Sequence, residues 1–270
     1  MIGDSMLKRT ISAIVLCAIC IPALIVGGNI FSILVFLVSF MALYEIMDIK
    51  ETKKSLPILM KVVAYLMLAV IYVMSLNNSE FVISYKIISS LILSMMLPLI
   101  FYKRESYSIN DAMYLIGFVF LISTSFSLIV YIRNMSNDWH YLMYVLLIAI
   151  FTDTFAYIGG NLIGSHKLIP SISPNKTIEG TIVGLIVGTL IASTYYYITI
   201  NDTINVIYLI GCTLFLSVLG QLGDLVFSTI KRYFGKKDYS NLIPGHGGIL
   251  DRFDSLIFIV YGFILLIGIL

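Results

Sequence analysis

The sequence predicts an all-α fold: a polytopic integral membrane protein of about nine transmembrane helices, with its N-terminus in the cytoplasm. Three observations carry this expectation. Hydrophobic residues fill 59% of the 270 positions and charged residues only 12%, about half the share of a water-soluble domain, and the mean hydropathy is +0.99. The apolar residues form continuous runs near the roughly 20 residues needed to cross hydrocarbon, rather than the alternating pattern of barrel strands. The cations are segregated: with the N-terminus inside, every Lys and Arg except Lys86 and Arg133 falls on the cytoplasmic side, 15 of 17.

The first span, at about 10–27, follows Lys8 and Arg9 as the core of a secretory leader would. No small-x-small cleavage pattern follows, and the run passes almost directly into the second span at about 30–49, so a retained helix is expected. Glu45 and Asp48, near the end of that span beside Lys50, Lys53 and Lys54, read as a solvated helix end with ion pairs. The remaining spans fall at about 57–76, 83–102, 112–132, 140–158, 178–199, 205–230 and 252–270. Cys17, Cys20 and Cys212 lie inside apolar runs; the C-x-x-C at 17–20 lacks the βαβ setting of a redox motif and reads as packing.

No soluble domain, low-complexity tract or fixed-period repeat interrupts the spans, and the longest loops are about 159–177 and 231–251. Residues 1–135 read as a scaffold of helices and 136–270 as the part carrying chemistry, because polar residues recur there at helix ends and in those two loops. The bilayer is the expected environment, and nucleic acid is not an expected partner.

The chemistry-bearing residues begin in the eighth span. On a helix, Asp224, Ser228 and Lys231 share a face within about 60°, with Asp224 roughly 10 Å deeper than Lys231. An ionisable residue in a span is costly and by default marks a functional site; the bland alternative is a buried pair between Asp224 and Lys231 or another cation. The ninth span opens with Asp251 and Asp254, three apart and able to share a face. Either alone is explained by the positive end of the helix, but both opposite Asp224 suggest a site for Mg²⁺, which takes one or two carboxylates plus phosphates and waters. Between these helices Gly245, Gly247 and Gly248 permit backbone N–H groups to face an anion, beside His246, Lys236 and Lys237. Asp153 and Tyr157 near the end of the sixth span, and Lys176 and Glu179 at the entrance to the seventh, face the same side; Thr177, rather than Ser173, is the better cap for the seventh helix.

At these residues the chain resembles the phosphatidate cytidylyltransferases, also called CDP-diacylglycerol synthases. Ser228, Lys231, Arg232, Lys237, Asp238, Ser240, Ile243, Pro244, His246, Gly247, Gly248, Asp251, Arg252 and Asp254 follow the family's motif without a gap, and "DTFAYIGG" and "SPNKTIEG" resemble further segments. Asn175 departs from it, standing where Lys is common. The resemblance implies transfer of the cytidylyl group of CTP to phosphatidate, with Mg²⁺ required, room for a second metal ion, and Asp224 and Asp251 as the metal ligands. Catalytic roles are expected for Asp224, Ser228, Lys231, Arg232, Asp251 and Arg252: the cations, with Lys237, neutralise the triphosphate, and Ser228 positions an oxygen. Substrate contacts are expected from Asp153, Lys176, Lys237, His246, Gly247, Gly248 and Asp254. The expected location is the bacterial plasma membrane with the site on the cytoplasmic side, and a homodimer is compatible with the reading. Rival readings are a CTP-dependent lipid kinase, another lipid cytidylyltransferase, or a secondary transporter, whose polar residues should instead lie near the midplane on paired interrupted helices.

Overall fold

The computed structural model describes residues 2–76, 84–135, 139–245, 247–268 and 270. Among them the chain forms helices α1 (Ile2–Val26), α2 (Gly28–Glu51), α3 (Ile58–Leu76), α4 (Tyr85–Met96), α5 (Ile109–Asn134), α6 (His140–Ile163), α7 (Ile178–Thr199), α8 (Val206–Tyr233) and α9 (Leu250–Leu266). A short hairpin, β1 (Lys167–Ile169) and β2 (Ser173–Thr177), lies between α6 and α7. Six helices, α2, α3, α5, α6, α7 and α8, are long and apolar enough to cross a membrane. Helices satisfy every backbone polar group internally, as hydrocarbon requires. The chain is a helical membrane protein.

Each expected span corresponds to a helix, but not all reach the expected length. The fourth breaks at Met96 into a 3-10 turn, Leu97–Ile100, with Pro98 at its second position. The proline ring removes an N–H donor and clashes with a continuing α-helix; the N–H groups of Phe101 and Tyr102 both turn back to the Pro98 carbonyl. Beyond α6 the expected loop is shorter than anticipated, because α6 continues to Ile163 and the hairpin pairs Lys167 with Thr177 and Ile169 with Ser173. Asp153 therefore sits about 15 Å from the end of α6 rather than near it.

The chain packs as two units, residues 1–131 with 238–250, and 132–237 with 251–270. In the first, Gly27 (φ 68°) alone separates α1 from α2, in a conformation that favours glycine. Helix α2 buries Phe31, Val35, Ala42, Leu43 and Ile46, and Phe40 stacks on Tyr65 of α3. Asp111 of α5 pairs with Lys50 at 2.7 Å and Lys54 at 2.5 Å. Cys17 and Cys20 are free and exposed on α1, so they do not pack within this chain as expected; Cys212 is buried.

In the second unit α6 and α7 approach backbone to backbone. A Cβ added at Gly184 would lie 2.5 Å from the Thr152 carbonyl and 2.9 Å from the Ala156 nitrogen, and one at Gly180 would lie 2.5 Å from the Ala156 carbonyl. Small residues four apart permit this contact, since helix association in lipid depends on close packing. Helix α8 joins them through Thr152 Oγ1 to Ser217 Oγ (2.6 Å) and Gln221 Nε2 donating to the Thr181 carbonyl (3.1 Å). The hairpin is tied down by Glu179, whose carboxylate accepts from the N–H groups of Ser165 and His166 and pairs with His166 Nδ1 at 2.6 Å. Thr177 is the N-cap of α7, accepting from the Gly180 N–H at 3.2 Å, as expected.

Candidate active site

The second unit gathers most of the expected residues. On α8, Ser228 Oγ donates to Asp224 Oδ1 at 3.1 Å, one turn apart as helical spacing requires. Asp224 Oδ2 pairs with Lys176 Nζ at 2.5 Å, and β2 delivers that lysine immediately before the Thr177 cap. Lys231, one turn beyond Ser228, pairs with Asp251 Oδ1 at 2.7 Å; the two side chains are 9% and 6% exposed. The bland alternative for Asp224, a pair with Lys231 or another cation, is met in its second form: the hairpin brings Lys176 to Asp224, while α9 brings Asp251 to Lys231.

Two further carboxylates crowd this place. Asp153 on α6 accepts from Ser255 Oγ at 3.0 Å, and its electrostatic surroundings include Asp224, Lys176 and Arg252. Asp254 on α9 is buried, and its surroundings include Asp224, Asp153 and Lys231. Gly223 lets α9 come this close, since a Cβ there would sit 2.8 Å from the Asp254 carbonyl oxygen. Asp224 is therefore held between carboxylates of α6 and α9 and the ammonium of Lys176.

Arg232 turns elsewhere: its Nε donates to the Ile172 carbonyl (3.0 Å) and its Nη1 to the Lys236 carbonyl (2.9 Å), bracing the hairpin turn against the end of α8. Helix α8 stops where Gly235 takes φ 70° and the Lys236 N–H returns to the Lys231 carbonyl at 3.0 Å. Lys237 and Arg252 are exposed.

Gly247 and Gly248 belong to the first unit. Gly247 has φ 81°, and its carbonyl accepts from the Ile243 N–H at 2.9 Å, closing a turn. His246 lies outside the described residues. In the same unit Glu45 overturns its expected role as part of a solvated helix end. It is 0% exposed, and its carboxylate accepts from Ser240 Oγ (2.5 Å), the Ile249 N–H (2.7 Å) and the Leu250 N–H (2.8 Å). Asp48, one turn on, is exposed as expected. The sequence held one clue. Glu45 sits within the apolar run "FMALYEIM", a costly place for a carboxylate without fixed partners.

Among the described residues no three of His, Cys, Asp and Glu converge as a ready-made metal cage. The donors gathered at Asp224 are all oxygens, and a hard divalent cation such as Mg²⁺ takes only one or two carboxylates when phosphates and waters complete its shell. Asp224 and Asp251, the expected metal ligands, are each paired with a lysine ammonium group.

The second unit thus gathers carboxylates of α6, α8 and α9 beside the lysines of β2 and α8, on helices of a membrane protein. Residues 7–270 match the Cytidylyltransferase family, and the chain belongs to it. Its relatives include proteins named phosphatidate cytidylyltransferase. That of Staphylococcus haemolyticus is 35% identical over 254 residues, and that of Staphylococcus aureus (strain COL) is 36% identical over 264 residues. Each alignment spans 93% of this chain and 95% of the relative.

Proposed function

We propose that the chain transfers the cytidylyl group of CTP to phosphatidate, forming CDP-diacylglycerol and releasing pyrophosphate at the cytoplasmic face of the cell membrane. The observation that carries this reading is the pair of salt bridges Lys176–Asp224 and Lys231–Asp251, which hold ammonium groups and carboxylates together within the segment shared with the family. A phosphate oxygen of phosphatidate forms the new bond to the α-phosphorus of CTP, and the bond to the β-phosphate bridging oxygen breaks, its electron pair leaving with pyrophosphate. A phosphate monoester with a second pKa of about 6 is already largely a dianion at neutral pH, so no dedicated base is required.

The protein's work is to bring two anions together and stabilise the charge that develops on the leaving group. Lys176 and Lys231 are each held by a carboxylate, which fixes the ammonium without long side-chain excursions. Arg252 and Lys237, exposed, are the residues to engage the triphosphate. Ser228 orients Asp224 through its hydroxyl. Asp224 and Asp251 are the proposed ligands of Mg²⁺, with Asp153 and Asp254 completing the negative surroundings of Asp224. Held by these carboxylates, the ion would supply positive charge to offset that of the phosphates.

Purified protein given phosphatidate and CTP is expected to form CDP-diacylglycerol; binding or transport of either substrate without product overturns the reading. Arg252→Gln is expected to raise the KM for CTP about 10- to 100-fold, as loss of a charged hydrogen bond worth about 1.5–3 kcal/mol implies, with a smaller effect on kcat. An unchanged KM identifies Arg252 as an interfacial anchor only.

The topology belongs to the same proposal: nine spans, N-terminus inside and C-terminus outside, supported by the cation asymmetry. Asp202→Cys is expected to react with an impermeant thiol reagent applied to intact cells, and Lys237→Cys only after permeabilisation. Labelling of position 237 from outside inverts the orientation and removes cytosolic CTP from the site.

A further inference from the structure

We propose that Glu45 is a positioning residue for this reaction: its buried carboxylate ties together both ends of the 240–249 loop and fixes the first turn of α9, from which Asp251 projects. The inference rests on the cytidylyl-transfer reading. At the near end of the loop Ser240 Oγ donates to Glu45 Oε1 at 2.5 Å and itself accepts from the Leu242 N–H at 3.1 Å. At the far end the Ile249 N–H donates to Oε1 at 2.7 Å and the Leu250 N–H to Oε2 at 2.8 Å. Between these ends the turn is closed by Ile243 N–H to Gly247 carbonyl (2.9 Å), and the Pro244 carbonyl accepts from Ser12 Oγ of α1 (3.0 Å).

The chemistry suits a carboxylate. The first N–H groups of a helix have no partner within it and carry partial positive charge, so an anion there is favoured. Hydrogen bonds to a charged acceptor are short and strong, as these are. A Ser, Asp or Asn beside the helix would ordinarily supply such a cap locally. Here the cap comes from α2, some 200 residues earlier in the chain, and desolvating its charge carries a cost that a local cap avoids. What the distant cap adds is a link between α2 and the loop. Because α9 is continuous from Leu250 to Leu266, holding Leu250 sets the register of Asp251 and Asp254.

An independent observation bears on the same contact. A Cβ at Gly248 would lie 2.5 Å from Glu45 Oε1 and 2.8 Å from Oε2 and Cδ. At 248 the carboxylate of Glu45 occupies the space a side chain would fill, so a Cβ there would displace it, and a glycine of the family motif meets a residue outside the motif.

The test uses the purified full-length protein and reads two quantities: the kinetic constants with CTP, and hydrogen exchange at the Ile249 and Leu250 amides. Glu45→Gln keeps the shape but turns an NH₂ toward a backbone N–H. It is expected to speed exchange at both amides and lower kcat about 100-fold, the scale of a 1 Å misplacement, with the KM for CTP within a few-fold of the parent. Gly248→Ala, which displaces the carboxylate from the other side, is expected to show the same pattern, and the double variant is expected to be no worse than the worse single one, because both break one contact. Faster exchange with kcat unchanged reduces Glu45 to a structural cap and overturns the proposal. So do unchanged amides, or fully additive losses in kcat. If Glu45→Gln does not accumulate in the membrane, Gly248→Ala alone decides by the same two readouts. A parent protein that protects these amides but makes no CDP-diacylglycerol overturns the reaction instead, an outcome distinct from failure in the variants.

Discussion

Asp224→Asn is expected to abolish turnover while leaving the protein, in EDTA, at least as stable as the parent. Asparagine preserves shape and one oxygen but loses the charge that would hold a divalent cation. The substitution weakens the bond to Lys176, yet it also relieves the repulsion that Asp153 and Asp254 exert on Asp224. The two changes offset one another, and added Mg²⁺ should stabilise the variant less than the parent. A simple structural ion pair predicts otherwise: Lys176, 28% exposed, would lose its partner at a net cost in stability, smaller than the roughly 3–5 kcal/mol of a fully buried pair. Thermal unfolding in EDTA and in Mg²⁺, beside the turnover assay, separates the two. Asp251→Asn should also lose activity, but with a stability penalty, because Lys231 is buried against it. That penalty is expected near the low end, about 3 kcal/mol, since Asp254 remains within electrostatic reach of Lys231. Substantial turnover by either variant, or Asp224→Asn melting far below the parent in EDTA, would leave these carboxylates as structural groups.

The second large effect is expected at Gly184. Alanine there places a methyl group against the Thr152 carbonyl and the Ala156 backbone, atoms that cannot rotate away. Helices α6 and α7 must separate, at a cost of about 3 kcal/mol, the upper part of the usual range for overpacking. Since α6 carries Asp153 and α7 follows directly from Lys176, activity should fall with stability. Gly211→Ala is the control: nothing lies within 4 Å of a Cβ at that position, and alanine is the better helix former by about 1 kcal/mol. The two substitutions should therefore move the melting temperature in opposite directions. Equal effects would remove the close helix contact from the explanation.

Much of this molecule is legible in its sequence, for identifiable reasons. The helices follow from apolar run length, and Asp224, Ser228 and Lys231 share a face because 3.6-residue periodicity is local information. The partners of those residues are not local. Whether Asp224 meets Lys231 or Lys176 depends on a hairpin whose strands are three and five residues long, too short to register as a period-2 pattern. Two donors of Arg232 brace carbonyls that only the folded hairpin and helix end bring within reach, contacts that its place in the motif does not foretell. Glu45 was read as solvated because lysines follow it, yet the helix turns it away from them and into the loop 240–250. The Gly180, Gly184, Gly188 stripe of α7 was present in the letters throughout, but its meaning depends on α6 lying against it.

The most direct test of cytidylyl transfer is the fate of isotope from CTP in a reaction of the purified protein with phosphatidate. Label in the α-phosphate is expected to enter the lipid product, while label in the γ-phosphate is expected to leave as pyrophosphate, and both should stop in EDTA and resume with Mg²⁺. Label from the γ-phosphate appearing in the lipid would contradict the account and make the protein a CTP-dependent lipid kinase.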